Sequence, residues 1–520
     1  MSMSQLIDRD LCSIQETRDL LRKAVEGQAK LAKMSQAQVD AICQVIKDAA
    51  LDNASRLAKM AHEETGFGKA EDKAIKNYFA AQVVYDYVKD MKTVGIINND
   101  EQRHVFEVAV PVGVIAALIP STNPTSTVIF KALVAIKAGN AVIFSPHPAA
   151  KNCIIEAAEV LRIAAESAGL PAGCIGVMKE ATMEGTSELL RSSHTSLILA
   201  TGGGAMVKAA YSSGNPAIGV GPGNGPAYIE KSADIPLAVK RIIESKTFDN
   251  GVICASEQSI IVEHEIEKRV LEELKRQACY LLSEDEKERI DGVLMTPNFT
   301  MNPATVGKTA AEVAGMAGIQ VAKDTALLIG RETQVGRKIP LSREKLCPVL
   351  AFYTVADWRA ACALAIKILN NEGAGHTMIM HSNDEALIRE FALEKPVSRL
   401  LINTCGALGG IGATTGLPPS LTLGCGAVGG NSTSDNVSPL NLINYRRIAY
   451  GTLELPEIRK AVGKGLASHA DRGLLSAGKA AYTDTHSGNG RAAAISMNDE
   501  DRINSLVTLV YTRLKEQGVI

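Results

Sequence analysis

One run of this 520-residue chain combines a nucleophile with room to use it: Phe248-Asp249-Asn250-Gly251-Val252-Ile253-Cys254-Ala255-Ser256-Glu257-Gln258-Ser259. The Cys254 thiol follows a turn-forming Asp-Asn-Gly, and small residues flank it, leaving room for a substrate. A cysteine nucleophile needs access and a local source of positive potential, such as backbone N–H groups, to hold a thiolate. The run Ser259-Ile260-Ile261-Val262 reads as a strand, so Cys254 falls in the loop leading into it. The local run alone leaves Cys254 open between a catalytic and a structural reading. Most of the ten cysteines, Cys347, Cys405 and Cys425 among them, read as small buried hydrophobes. Glu257, three residues past Cys254, reads as a surface or salt-bridged carboxylate rather than a base.

The elements that must position this loop can be read from apolar spacing. Residues from about Ser13 to Val88 carry apolar side chains at three- and four-residue steps, as at Val39, Ile42, Val45, Ile46 and Ala49, and predict a helical layer. Val94 to Val110 predicts a hairpin with Asn98-Asn99-Asp100 at its turn. From 110 to 230 short apolar runs (Val112–Ile119, Ala141–Ser145, Ile175–Met178, Leu197–Ala200) alternate with helical segments, which predicts a parallel sheet with crossover helices. Such sheets bind ligands at the carboxyl ends of their strands. Three loops fall there: Pro120-Ser121-Thr122-Asn123-Pro124, Ser145-Pro146-His147-Pro148 and Thr201-Gly202-Gly203-Gly204. Glycines opening a helix let backbone N–H groups approach a pyrophosphate. The Thr201–Gly204 run is not Gly-x-Gly-x-x-Gly, however, and a tight turn that needs glycine is the competing reading.

A second α/β region spans about 233 to 416, with amphipathic helices expected at Ile266–Leu282 and Asp357–Leu369. Beyond the glycine-rich stretch Gly406 to Gly430, the composition shifts to Gly, Ala and Ser from Ala461 to Met497, as in a flexible linker. A last helix is predicted over Asp499–Gln517. Ile503, Leu506, Val507, Val510 and Leu514 share one face, acids lie at its start, Arg513 and Lys515 lie near its end, and Gly518 stops it.

Composition narrows the function classes. With 46% hydrophobic and 22% charged residues and a net charge of −2, the chain reads as a soluble globular protein with no nucleic-acid or anionic-membrane partner. Met1 to Asp10 has no apolar core of a signal peptide, and no apolar run reaches the ~18 residues of a membrane span. The cysteines form no Cys-x-x-Cys, which fits free thiols in a reducing cytoplasm. No His, Cys and carboxylate cluster has metal spacing, so no metal is expected.

Taken in order, these motifs resemble the aldehyde dehydrogenase superfamily, specifically its CoA-acylating branch, over roughly residues 10 to 450. Val112-Gly113-Val114-Ile115 leading into Pro120–Pro124 resembles the family's strand and asparagine loop. Thr201–Gly204 resembles its pyrophosphate turn, and Cys254 its nucleophile. Glu344-Lys345-Leu346-Cys347-Pro348-Val349 resembles the motif whose glutamate holds the nicotinamide ribose. Gly373-Ala374-Gly375-His376-Thr377 and Asp435-Asn436-Val437-Ser438-Pro439 resemble the acylating branch.

The resemblance implies an α/β aldehyde dehydrogenase fold: a Rossmann-like cofactor domain over 1–232, with the helical layer and the 94–110 hairpin, and a catalytic domain over 233–416 carrying Cys254. Residues 417–460 would return to the cofactor domain and supply an oligomerisation strand, 461–498 would be the linker, and 499–520 the terminal helix. It implies catalytic Cys254 and Asn123, with His376 a further candidate. Cofactor contacts would come from Ser121, Thr122, Ser145, His147, Thr201, Gly202, Gly203, Gly221 and Glu344.

The departures matter as much. Hydrolytic members carry a water-activating Glu ahead of the cysteine. Here the matching run is Val220-Gly221-Pro222-Gly223-Asn224-Gly225-Pro226, and Val220 holds that place, 34 residues before Cys254. Valine cannot take a proton, so a thioester on Cys254 should persist until the CoA thiolate arrives. The expected reaction is CoA-acylating oxidation of a short-chain aldehyde with NAD, by ping-pong kinetics. Asn123 and the Cys254 N–H would hold the oxyanion, each donor contributing roughly 3–4 kcal/mol. Competing readings are a semialdehyde dehydrogenase, an acyl-phosphate reductase, or a non-catalytic component of a compartment. The resemblance also implies a homo-oligomer exchanging the 94–110 hairpin and Leu440–Tyr450. The tail resembles an encapsulation peptide that binds a shell protein or co-packaged enzyme, implying a cytoplasmic location inside a bacterial microcompartment.

Overall fold

A computed structural model describes residues 8–464; the expected helix Asp499–Gln517 and the linker past Lys464 lie outside the described residues. The helical layer forms as its spacing predicts: Arg9–Leu31, Gln36–Asp52, Ala54–Thr65, Ala70–Tyr78, a π-helical turn Phe79–Val83, and Val84–Val88. Ser35 starts the second helix through a capping box with Gln38, and Val39, Ile42, Cys43, Ile46 and Ala50 form its buried stripe. Gly66, left-handed at φ 67°, ends the third.

The hairpin pairs β1 (Gly95–Asp100) with β2 (Val105–Pro111). Its turn is displaced from the expected Asn98–Asp100 to residues 101–104. The reason is local: Asp100 Oδ1 accepts from Arg103 N (2.9 Å) and His104 takes the left-handed conformation at φ 52°.

A first parallel sheet has five strands, β3 (Val114–Ile119), β4 (Ala141–Pro146), β5 (Ile175–Val177), β6 (Leu197–Thr201) and β7 (Ala217–Val220), in the order β5-β4-β3-β6-β7. Strands β3 and β4 are buried at every residue, as apolar runs covered on both faces should be. The helix Pro124–Lys137 after β3 is buried throughout, so its lysines need partners. Lys131 Nζ donates to the carbonyls of Leu118 and Leu199, both at 2.8 Å. Because β4 leaves β3 on one side and β6 flanks it on the other, the chain reverses direction at β3. That reversal opens a crevice past the carboxyl ends of β3 and β6, where the Pro120–Pro124 and Thr201–Gly204 loops lie.

A second parallel sheet holds β8 (Gly225–Ile229), β9 (Glu257–Glu263), β10 (Tyr280–Leu281), β11 (Leu328–Arg331), β12 (Val349–Val355), β13 (Gly375–His381) and β14 (Val397–Ile402), in the order β10-β11-β12-β9-β8-β13-β14. Since β8 already belongs here, the chain passes from one sheet to the other within residues 221–224, ahead of the expected boundary at 232. The helix expected over Ile266–Leu282 runs only His264–Arg276. Ala278 turns left-handed at φ 60°, and Tyr280–Leu281 pairs as β10 instead. The helix expected at Asp357–Leu369 is Trp358–Asn371, capped by the Asp357 side chain on Ala360 N.

One apolar core packs the five-stranded sheet and takes in Ile253, Ala255, Ala407, Leu423 and Val437. Two others hold the seven-stranded sheet, with Ile261 in one and Ile260 and Val262 in the other. The residues on either side of Cys254 are therefore anchored in the first core, and the strand that follows is anchored in the other two. The last strand, β15 (Ile443–Ala449), adds beside β2 to give the order β1-β2-β15.

The chain divides into two compact units. One comprises the residues up to Asn98 with Glu107–Arg446 and holds both parallel sheets; the other comprises Asn99–Phe106 with the chain from Arg447. In the second, Tyr450 N donates to His104 O (3.1 Å) and the Phe106 and Tyr450 rings meet edge to face at 5.9 Å. Residues 455–464 are helical, so the first four residues of the expected linker continue a helix. Among the described residues no helix is long and apolar enough to cross a membrane.

Candidate active site

Cys254 sits between a tight turn, Phe248–Gly251, and the start of β9. Asp249 (φ 49°), Asn250 (φ 52°) and Gly251 (φ 78°) are successively left-handed. For the two non-glycines that conformation costs roughly 1–2 kcal/mol each. Hydrogen bonds offset it. The Asp249 carboxylate, fully buried, accepts from Lys69 N (2.7 Å), Lys73 Nζ (3.0 Å) and Lys76 Nζ (2.5 Å). Its N–H donates to Asp72 Oδ2 (2.7 Å), and Asn250 Nδ2 donates to Gly307 O (2.9 Å). Gly68 admits the carboxylate, since a Cβ there would stand 1.8 Å from Asp249 Oδ1.

The same lysines reach the loop after β3. Lys76 Nζ donates to Asn123 Oδ1 (2.6 Å) and to Val252 O (3.0 Å), and Lys73 Nζ donates to Thr122 O (3.2 Å). Asn123 begins the helix Pro124–Lys137, its carbonyl accepting from Thr127 N (3.1 Å) and Thr127 Oγ1 (2.6 Å). Thus the helix Ala70–Tyr78 ties the loop before Cys254 to the asparagine loop. Sequence reading missed Lys73, Lys76 and Asp249 as a group.

The Val220–Pro226 run passes directly against Cys254. A Cβ on Gly223 would lie 1.9 Å from Cys254 O and 3.4 Å from His376 Nδ1. Gly223 N donates to Glu344 Oε1 (2.9 Å). The structure therefore brings Cys254, Gly223, Glu344 and His376 together, with Asn123 joined through Lys76. Val220, at the end of β7, is a buried apolar side chain.

Burial dominates the electrostatics. Cys254 is half-buried, and burial first, then the charges of Glu344 and Cys425, push its thiol up to about 12, against the pull of Arg399 and of its own backbone N–H. Arg399, also buried, donates to His376 O (2.9 Å), Gly424 O (2.6 Å), Asn436 Oδ1 (3.2 Å), Ser434 O (3.3 Å) and Thr377 Oγ1 (3.4 Å), all neutral oxygens. It was not singled out from the sequence. Glu344 is raised to about 8 by burial and then by Glu372, whose carboxylate accepts from Glu344 N at 3.0 Å. His376 is fully buried; burial and then Arg399 lower it to about 3, so the ring is neutral. Its Nδ1 lies 2.9 Å from Thr377 Oγ1, and its Nε2 has no partner among the described residues.

Glu257 corrects an expectation. It is fully buried, accepts from Gly406 N (2.8 Å), and is raised by burial to about 7. The reason is that β9 is an interior strand buried at every residue, so neither of its faces meets solvent. Cys347, Cys405 and Cys425 are buried as expected, and all ten cysteines are free. Among the described residues no group of three or more His, Cys, Asp or Glu is arranged to hold a metal.

The remaining predicted residues lie at or just past the carboxyl ends of β3, β4, β6 and β7. Gly203 precedes the helix Gly204–Tyr211 with no side-chain cap, and a Cβ on Gly203, Gly204 or Gly221 would meet nothing within 4 Å. Open space before uncapped helix N–H groups suits a pyrophosphate. Gly202 (φ 158°) forms the bend, and Thr201 Oγ1 lies 3.5 Å from Thr422 Oγ1. Ser121 and Thr122 are half-buried beside Asn123. Ser145 is buried with its hydroxyl 3.0 Å from Thr186 Oγ1. His147 Nδ1 accepts from Ala149 N (3.1 Å), capping the short turn Pro148–Ala150.

Fold and site together define an α/β protein with two parallel sheets and a half-buried cysteine on the loop entering β9. The aldehyde dehydrogenase family model matches residues 4–415, and the chain belongs to that family. It is 43% identical over 442 residues to a bifunctional aldehyde-alcohol dehydrogenase of Escherichia coli, a match covering 84% of this chain and 50% of that one. The chain thus spans about half the length of that curated relative. An acetylating aldehyde dehydrogenase from Geobacillus thermoglucosidasius is 52% identical and superposes with a TM-score of 0.85, covering 87% of this chain and 100% of that one. A propionaldehyde dehydrogenase from the Clostridium phytofermentans fucose utilisation bacterial microcompartment is 27% identical with a TM-score of 0.76, covering 85% and 98%.

Proposed function

We propose that this protein oxidises a short-chain aldehyde to its acyl-CoA, reducing NAD, through a thioester on Cys254. The observation that carries the reading is the Val220–Pro226 run, whose Gly223 packs against the Cys254 backbone: the run contains glycine and no carboxylate, and Val220 stands where a water-activating acid would. The acetylating relative at 52% identity supports the same chemistry.

Cys254 Sγ adds to the aldehyde carbon, and Asn123 Nδ2–H and Cys254 N–H hold the resulting oxyanion. The bound nicotinamide supplies the hydride acceptor. The uncapped turn Thr201–Gly204 would hold its pyrophosphate and Glu344 its ribose, with Ser121, Thr122, Ser145, His147 and Gly221 as further contacts. Loss of hydride from the carbon leaves the thioester. The CoA sulfur then attacks the thioester carbon, the Cys254 S–C bond breaks, and the Cys254 thiolate is restored. His376, held near 3, is a weak base, and in this reading it orders the strand beside Cys254.

The protein acts as a homo-oligomer: β15 stands at the end of the order β1-β2-β15 and is solvent-exposed at every residue but its first, and an edge strand is a template for pairing with another chain. A monomer by light scattering would overturn this. The Asp499–Gln517 stripe binds a shell protein or co-packaged enzyme of a microcompartment, consistent with the compartment origin of one relative. A fluorescent protein fused to residues 490–520 should enter shells; a diffuse fusion in shell-forming cells, with the enzyme truncated after Gly490 still packaged, would refute it.

The central test follows NADH with acetaldehyde or propionaldehyde, with and without CoA. Sustained turnover only with CoA, and acyl-CoA as product by mass spectrometry, is expected. Free acid as the main product would overturn the reading.

A further inference from the structure

Lys76 belongs to none of the motifs above, yet its ammonium bonds both the Asn123 side chain and the backbone two residues before Cys254. Its ammonium is 2% exposed and has three partners: Asn123 Oδ1 (2.6 Å), Asp249 Oδ2 (2.5 Å) and Val252 O (3.0 Å). An ammonium has three N–H donors and no acceptor, so this set uses them all. An asparagine amide can sit either way round, with oxygen or nitrogen toward a neighbour. Facing Lys76 only the oxygen is tolerated, because the reverse would oppose NH2 to a buried cation. The Asn123 Nδ2 is thereby turned away from Lys76, one N–H making a long 3.4 Å bond to Thr122 Oγ1, and a charge-assisted bond to the carbonyl polarises the amide and strengthens its donors. Val252 lies two residues before Cys254, so the same ammonium also sets the spacing between the amide and the nucleophile loop.

We propose that Lys76 is a positioning residue for the acylation step, fixing the Asn123 amide with its N–H groups toward the developing oxyanion. The proposal rests on the reading of Asn123 as an oxyanion donor. Lys73 supplies a comparison within the same cluster. It also pairs with Asp249 (3.0 Å), but its other contact is Thr122 O (3.2 Å), not the Asn123 side chain.

The test is a double-variant cycle on the full chain, reading the single-turnover rate of NADH formation with aldehyde before CoA is added. Asn123→Ala should slow this burst by about 10²–10³-fold, as loss of one oxyanion donor does. Lys76→Met should slow it by at least about tenfold with KM for NAD nearly unchanged, and Lys76→Arg should recover part of the loss. In the Asn123→Ala background, Lys76→Met should slow the burst no further, whereas any effect of Lys73→Met should persist. If Lys76→Met costs the same factor with and without Asn123, its role is structural and the proposal falls. If Asn123→Ala leaves the burst unchanged, the oxyanion reading itself falls. Thermal melting checks each variant. Should Lys76→Met fail to fold, Lys76→Met/Asp249→Asn, which removes the Lys76–Asp249 ion pair and leaves Lys73 in place, carries the same cycle against Asp249→Asn.

Discussion

Alkylation of Cys254 in the cofactor-free protein should be slow at neutral pH and climb about tenfold per pH unit with no plateau below pH 9. The perturbation is pH, and its size follows from a thiol moved from an ordinary 9.0 to about 12, chiefly by burial. At pH 8 an unperturbed thiol is about one-tenth thiolate, and Cys254 about one part in ten thousand, a deficit on the order of a thousandfold. A more basic thiolate is also more nucleophilic; a Brønsted slope of about 0.45 over three units returns roughly 20-fold. The net expectation is alkylation some ~50-fold slower than a free cysteine peptide at the same pH. Iodoacetamide labelling with peptide mapping measures it at the Cys254 peptide, with the exposed Cys12 read in the same digest. The sign of the linked stability follows. The folded state keeps the thiol proton between 9.0 and about 12 while the unfolded chain loses it, so this group lowers stability as pH rises through that window. A labelling rate that levels off below pH 9 would show that Arg399 and the local N–H groups outweigh burial, and would refute the reasoning.

Cys254→Ala should cut turnover by on the order of a thousandfold or more while NAD binding, followed by fluorescence titration, stays close to the parent; substantial residual activity would remove Cys254 from the nucleophile's role. Val220→Glu should raise the ratio of free acid to acyl-CoA formed from one aldehyde, since it returns a carboxylate to the run that packs against Cys254; an unchanged ratio in a folded variant would mean Val220 is not what suppresses hydrolysis.

What could be read from the sequence was what is written in consecutive residues. The alternation of short apolar runs with helices identified the parallel sheet around β3, because a strand buried on both faces must be apolar throughout. Asp249-Asn250-Gly251 announced a turn before Cys254, and all three residues are left-handed. The errors fall where a short-range pattern met a long-range partner. Ile266–Leu282 kept a helical spacing, but the chain breaks at Ala278 because Tyr280 and Leu281 are claimed by β11. Glu257 looked solvated because carboxylates usually are, and only the place of β9 inside a seven-stranded sheet buries it.

The lysine cluster shows why part of such a site cannot be read from one chain. Lys73 and Lys76, three residues apart on a helix, have the spacing of an ordinary solvated stripe. Their partner Asp249 is 176 and 173 residues away. Nothing near either end marks the pairing, yet folding places the three charges where water is excluded. Removing Asp249 leaves two buried lysines without their carboxylate, and breaking a buried pair in this way typically costs about 3–5 kcal/mol. Such a cluster is a poor source of stability beside an apolar core of similar volume. Its geometric consequence is more specific: it holds a strained turn, the asparagine loop and the backbone before Cys254 in one arrangement. In the proposed reading the buried charges act by fixing direction, and Cys254 supplies the reactivity they direct.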